Sequence, residues 1–205
     1  MLRALLVLLF IVAYKYSDSL AGSMTTPFLL QAGFSQSEVG AVFLGIGVVA
    51  TILGVVAAGA AIGKWGINRS LWIFVVFQGL SNLTYYGLSL SGKNHTFMVA
   101  AVVTENFGLG LVTGAMTAYL MSMCNRRFTA TQFALLSSLM AASRDILVAP
   151  AGKIAESLGW PGFFLLTVAM AIPPLLLLPF IAPWSRDLPI GAVPHDGETV
   201  PAKAG

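Results

Sequence analysis

Charged residues are scarce in this chain of 205 residues: 9% are Asp, Glu, Lys or Arg, whereas 57% are hydrophobic. A soluble domain carries about a quarter charged residues, so this chain cannot cover a water-facing surface. Its one cysteine, Cys124, excludes an internal disulfide, and its two histidines, His95 and His195, form no metal-ligand cluster. We therefore predict no metal, no cofactor and no enzymatic activity.

The sequence contains long apolar stretches. Each is near the length, roughly 20 residues, that one helical membrane crossing needs. There are about six, at residues 2–30, 35–62, 71–90, 97–121, 129–155 and 162–181. Their continuous hydrophobicity and frequent Gly and Ala favour helices over membrane strands. We therefore predict an all-α membrane protein, with a six-helix transmembrane bundle over residues 1–183 and a disordered tail over residues 184–205.

Lysine and arginine residues in the loops predict the orientation. The basic residues on one side are Arg3, Lys64, Arg69, Arg126, Arg127, Arg186 and Lys203, and those on the other are Lys93 and Lys153. Under the positive-inside rule this asymmetry places both termini, and the tail, in the cytoplasm. The net charge of +3 therefore reflects topology, and we do not predict nucleic-acid binding.

Two capping boxes indicate an internal repeat. Residues 35–38 (Ser-Gln-Ser-Glu) open the second span and residues 129–132 (Thr-Ala-Thr-Gln) open the fifth, each after a phenylalanine. The predicted orientation puts the first box outside and the second inside. Spans one to three and four to six then form inverted repeats, the 3+3 unit of which a major facilitator half is built.

Five ionisable residues fall inside the predicted spans: Lys15, Asp18, Glu105, Arg144 and Asp145. A charge at mid-membrane costs roughly 2.5–3.5 kcal/mol on insertion scales, so such residues persist where they pair or face water. Lys15 and Asp18 are three residues apart and can pair on one helix face. The charged spans are the first, fourth and fifth, which line the cavity in a major facilitator half. Static ion pairs that only hold the bundle together would give the same pattern.

Uncharged residues beside these charges extend the candidate site. Asn106 follows Glu105 on a small or polar stripe that could border a cavity, and Tyr14 flanks Lys15, where its ring could stack on a sugar.

Further polar and small residues are predicted to serve packing. Gln78 and Asn82, four apart on the third span, are expected to hydrogen-bond within or between helices. The pairs Gly59/Gly63 and Gly110/Gly114 have the small-xxx-small spacing that favours close helix contacts.

The loop after the fourth span carries the most specific resemblance to a known family. Residues 124–138 read Cys-Asn-Arg-Arg-Phe-Thr-Ala-Thr-Gln-Phe-Ala-Leu-Leu-Ser-Ser, and with Glu-Asn-Phe-Gly-Leu-Gly at residues 105–110 they closely resemble the AmpG-type muropeptide permeases. Residues 14–18 and 158–164 resemble further segments of that family. Family members have two six-helix halves, and this chain resembles only the C-terminal one.

The resemblance implies a major facilitator transporter of the Gram-negative inner membrane. Such a protein imports anhydromuropeptides for cell-wall recycling, using the proton gradient. The predicted substrate-binding residues are Lys15, Arg144, Tyr14 and Asn106, and the predicted proton-coupling acids are Asp18, Glu105 and Asp145. Asp145 departs from the family pattern, since the arginine before it is expected there but the acid is not.

Alternating access needs two halves, so the resemblance implies a partner: the missing N-terminal half or a second copy of the chain. A truncated gene, a split-gene subunit and a homodimer are all open at this stage. Two other functions are open as well. One is a transporter half for another sugar or nucleotide conjugate, and the other is a non-transporting membrane remnant or scaffold.

Overall fold

The computed structural model describes residues 2–123, 134, 137–138 and 148–181. Regular structure in these residues is helical throughout, which confirms the predicted all-α class. The helices are α1 (Leu2–Gln31), α2 (Gln36–Val42), α3 (Val48–Trp65), α4 (Ile67–Ser91), α5 (His95–Met123), α6 (Ala151–Ala169) and α7 (Ile172–Ile181). A π-helical segment, Phe43–Gly47, joins α2 to α3 without a break.

Three helical stretches of the described residues are long and apolar enough to cross a membrane. They are Gln36–Trp65, His95–Ser122 and Ala151–Phe180. The predicted fifth span lies mostly outside the described residues, as does the predicted tail.

The first of these stretches begins at the predicted capping box. The Glu38 backbone N–H donates to the Ser35 hydroxyl at 3.2 Å, and the Ser35 N–H donates to the Glu38 carboxylate at 2.7 Å. These two bonds satisfy backbone donors that the first helical turn leaves unpaired. The box thus fixes where α2 starts, as the sequence predicted.

Two backbone breaks lie in the region of the predicted sixth span, one just before its predicted start and one near its middle. Within α6, Gly159 has a φ of 67° and a ψ of 170°, which a helix cannot contain and which glycine adopts without a Cβ clash. The second break falls between α6 and α7, just before Pro173 and Pro174, which cannot donate backbone hydrogen bonds to a preceding turn. The predicted proline bend is confirmed.

Helix α5 packs against both α3 and α4, α4 also packs against α6, and α1 packs against α6 and α7. The contact between α3 and α5 is the closest. A Cβ at Gly54 would overlap the Phe107 carbonyl oxygen, and one at Gly110 would overlap the Thr51 carbonyl oxygen. The two backbones therefore touch, which only glycine permits at these positions.

The two predicted glycine pairs differ in outcome. Gly110 lies in this contact, and a Cβ at Gly114 would come within 2.8 Å of the Ala58 side chain, so the predicted packing of that pair is confirmed. Gly59 and Gly63 have nothing within 4 Å of their Cβ positions in the described structure. Both glycines lie on the face of α3 that is opposite α5.

Two apolar clusters form the core. One lies near the turns at residues 31–36 and 91–95, and the other near the opposite ends of the same helices. The first contains Phe28, Tyr85, Met98, Phe163 and Phe164, and the second contains Phe10, Phe74, Leu111, Met116 and Leu178.

Candidate functional site

A layer of polar side chains lies between the two clusters, several turns from the ends of the helices. We call it the polar layer, and it consists of Ser19, Thr51, Gln78, Asn82, Glu105 and Asn106. In a helix that spans a bilayer this depth is the hydrocarbon centre, where polar groups are expensive and mark ion or solute pathways. The layer is therefore the candidate site.

Glu105 of α5 is the ionisable member of this layer. Its side chain is 8% exposed, and it accepts a hydrogen bond from the Tyr85 hydroxyl of α4. A Cβ at Gly22 of α1 would lie 3.9 Å from the Glu105 Oε1 atom. The carboxylate is therefore enclosed by three helices.

Aromatic packing fixes the position of the Tyr85 hydroxyl. The Tyr85 ring stacks on Phe164, with centroids 5.4 Å apart, and meets Phe28 edge-on at 6.5 Å. The Trp160 ring packs against Phe28, with ring centroids 5.2 Å apart, and its indole N–H donates to the Gln31 side-chain oxygen at 2.5 Å. Rings packed on several sides have few alternative rotamers, so the donor to Glu105 is held in place.

Asn106 faces the other neighbour of α5. Its Nδ2 donates to the Val102 carbonyl at 2.8 Å, and its Oδ1 accepts from the Thr51 hydroxyl at 3.3 Å. A Cβ at Gly47, the last residue of the π-helical segment, would lie 3.4 Å from the same amide nitrogen. Short π-helical segments inside α-helices are frequently found at functional sites. Asn106 thus ties α5 to an irregular turn, and it is half-buried there.

Helix α4 turns a polar stripe toward α5. Tyr85 meets Glu105, and a Cβ at Gly108 would overlap the Gln78 Oε1 atom, so the two helices run antiparallel in this register. Asn82 lies between these two contacts and is 1% exposed. Neither of its amide atoms has a hydrogen-bond partner in the described part of the chain. The prediction that Asn82 hydrogen-bonds within or between helices is therefore wrong for the described residues.

Of the predicted site residues, the structure describes the side chains of Glu105 and Asn106. These neighbours on α5 face different helices, Glu105 toward α1 and α4 and Asn106 toward α3. Predicted residues whose side chains lie outside the described part are Tyr14, Lys15, Asp18, Arg144 and Asp145.

The residue that donates a hydrogen bond to Glu105 was not predicted from the sequence. Tyr85 resembles an ordinary member of an apolar helix. A signal for Tyr85 was present, because it follows Asn82 by three residues and Gln78 by seven, which places all three on one helix face.

No family model matches the chain, but similar curated proteins do exist. Anhydromuropeptide permease of Escherichia coli K12 is 45% identical over 177 residues, which are 86% of this chain and 36% of that protein. Putative transporter AmpG 1 of Rickettsia prowazekii is 34% identical over 174 residues, 85% of this chain and 39% of the relative. Putative transporter AmpG 4 of Rickettsia felis is 29% identical over 178 residues, which are 87% of this chain and 43% of the relative.

The chain thus spans well under half the length of the curated relatives it matches. The similarity and the apolar helices together indicate a multi-pass protein of the inner membrane. The chain belongs to the AmpG-type permease family and corresponds to its C-terminal half.

Proposed function

We propose that this chain is one half of a transporter that carries anhydromuropeptides into the cytoplasm for cell-wall recycling, driven by the proton gradient. The substrate class is the one named for its Escherichia coli relative. The observation that carries the proposal is the placement of Glu105. A carboxyl group enclosed at mid-height of a membrane bundle, with a fixed hydroxyl donor, is suited to gain and lose a proton.

The proposal includes the finer architecture: six spans, a 3+3 inverted repeat and both termini in the cytoplasm. In it, Lys15 and Arg144 bind the carboxylates of the peptide, and Tyr14 and Asn106 contact the sugar. Asp18 and Asp145 are the further acids of the proton pathway. The basic residues support this assignment because Lys and Arg are rare at membrane depth, and when present they usually line substrate pathways.

The proposed partner is the N-terminal half that the longer relatives contain. The face of α3 opposite α5 supports it. Ile52 and Val56 are exposed on that face, and Gly59 and Gly63 have nothing over their Cβ positions. Small residues on an apolar helix allow a second helix to approach closely. A second copy of this chain is the competing occupant.

Uptake of labelled anhydromuropeptide tests the function. The chain is expressed with the N-terminal half of the Escherichia coli relative, in a host that lacks its own permease. We expect uptake that collapses when the proton gradient is dissipated. Glu105→Gln should abolish most of this uptake, because the amide cannot exchange the proton. Glu156→Gln, the same change at an exposed position of α6, should leave uptake unchanged.

Three results would overturn parts of the proposal. Normal gradient-driven uptake by Glu105→Gln would remove the proton role of that carboxyl. Normal uptake by Lys15→Ala and Arg144→Ala would remove the substrate-site assignment. Uptake by the chain without any N-terminal half would favour a second copy as the partner.

A further inference from the structure

Two deeply buried polar side chains of the polar layer have no protein hydrogen-bond partner in the described structure. They are Ser19 of α1, 5% exposed, and Asn82 of α4, 1% exposed. The atoms without a partner are the Ser19 hydroxyl oxygen and both polar atoms of the Asn82 amide. Buried polar groups of native proteins are nearly always satisfied, by the protein or by ordered water. These two therefore point to a bound molecule that can both donate and accept hydrogen bonds.

Asn82 is placed beside Glu105 by its position on α4. It precedes Tyr85, the donor to Glu105, by three residues, and it follows Gln78, which meets α5 at Gly108, by four. Residues three or four apart on a helix are neighbours, with Cβ atoms about 5–6 Å apart. The Asn82 amide therefore lies in the interface of α4 and α5, within one turn of the bond between Tyr85 and Glu105.

Ser19 approaches the same carboxylate from α1. It precedes Gly22 by three residues, and a Cβ at Gly22 would lie 3.9 Å from the Glu105 Oε1 atom. Because Gly22 has no side chain, nothing from that residue fills the space between α1 and the carboxylate. Ser19 and Asn82 thus lie on two different helices, each about one turn from a residue that faces Glu105.

We propose that Ser19, Asn82 and the Glu105 carboxylate enclose a bound-water site between α1, α4 and α5, and that this water relays protons to Glu105. A buried water typically makes about three hydrogen bonds to otherwise unsatisfied groups, and the Ser19 hydroxyl and the two polar atoms of the Asn82 amide are three such groups. In the relay the water gives one proton to the carboxylate and receives one from a neighbouring protonated water, so its own composition is unchanged. The relay rests on the proposed function, whereas the water site does not.

Hydroxyl-radical footprinting of the full chain in lipid nanodiscs tests the water site. Radicals generated by radiolysis of bound water oxidise the side chains next to it, and mass spectrometry locates them. We expect Tyr85 to be oxidised although it is fully buried. Tyr119, a tyrosine of similar burial inside the second apolar cluster, should stay unmodified. Equal absence of oxidation at both tyrosines would overturn the proposal.

Substitutions identify the residues that hold the water. Asn82→Leu replaces the amide by an apolar group of similar size, and Ser19→Ala removes the hydroxyl. Each should cause loss of Tyr85 oxidation, and Ser19→Ala, the milder change, serves if the leucine variant does not fold. The matched control is Ser81→Ala, which removes a buried hydroxyl that already donates to the Gln78 carbonyl at 2.7 Å. Tyr85 oxidation should persist there.

The footprint and the uptake assay can fail separately. Oxidation of Tyr85 that persists unchanged in both Asn82→Leu and Ser19→Ala would overturn the assignment of the water to this site, whatever the uptake result. Normal gradient-driven uptake by Glu105→Gln would instead remove the relay while the footprint stood. Footprinting needs neither substrate nor partner, so the two results are independent.

Discussion

A carboxylate between apolar clusters needs a donor, and Tyr85 provides it for Glu105. The hydroxyl comes from a ring that is itself buried against Phe164 and Phe28. A donor fixed in this way stays aimed at the carboxylate without loss of side-chain entropy at the moment of bonding. At the scale of single residues, therefore, the state of Glu105 depends on a tyrosine from another helix.

We expect Tyr85→Phe to lower the free energy of unfolding by about 1–3 kcal/mol, because it removes a buried hydrogen bond to a carboxylate and barely changes the packing. Tyr86→Phe is the control, since it removes a hydroxyl from the half-buried neighbour on α4. Denaturant unfolding in detergent, followed by tryptophan fluorescence, measures both. Wild-type stability of Tyr85→Phe would show that the hydrogen bond to Glu105 contributes nothing.

Glu105 was identified from the sequence, but Tyr85 was not. An acid inside an apolar stretch is conspicuous, because its cost in a membrane demands an explanation. A tyrosine in such a stretch is ordinary. Its importance follows from the register of α4 against α5, and that register depends on packing far apart in the sequence. The hydrogen bond predicted for Asn82 was wrong for the same reason, since spacing alone could not show that the described parts of the neighbouring helices offer it no partner.

At the scale of helices, α3 and α5 pack closely because glycines without side chains lie at their contact. Gly54 and Gly110 let the two backbones meet, and Ala58 lies against Gly114 next along the interface. The Gly110/Gly114 spacing predicted this contact from the sequence. Gly54 was not predicted, because its nearest small partners on α3 are alanines rather than a second glycine at the same spacing.

We expect Gly54→Ala to reduce the free energy of unfolding by about 1–3 kcal/mol, because the new methyl group must push α3 away from the Phe107 carbonyl. Gly59→Ala adds the same methyl group on the open face of the same helix. There the better helix propensity of alanine should stabilise the chain by up to about 1 kcal/mol. Thermal unfolding of both variants in the same detergent gives the comparison. Equal transition temperatures would contradict the close contact.

At the scale of the whole molecule, length and composition identify the protein class better than they identify each crossing. Three helical stretches of the described residues satisfy a hydropathy criterion for spanning, and α4 is not among them. Yet α4 has 25 residues, enough for about 37 Å of helix, which exceeds the thickness of the hydrocarbon core. Its polar stripe lowers its mean hydropathy while facing inward, and a one-dimensional scan cannot separate these effects.

Cysteine labelling tests the proposed orientation. In a Cys124→Ser background, Ser91→Cys and Lys64→Cys each place one thiol at an exposed helix end. The positive-inside rule puts Lys64 in the cytoplasm and Ser91 outside. A membrane-impermeant maleimide should therefore label Ser91→Cys in spheroplasts, and Lys64→Cys only after the membrane is permeabilised. The reverse pattern would invert the orientation, and labelling of both in intact spheroplasts would place these two ends on one side.

The inward polar stripe of α4 also bears on how the chain is made. A helix that carries Gln78 and Asn82 is a poor candidate to leave the translocon for lipid alone. Its partner α5 follows it directly in the sequence and offers Glu105 and Gly108 to the same stripe. We expect the two helices to be released into the bilayer as a pair, so that α4 remains in the translocon until α5 has been synthesised.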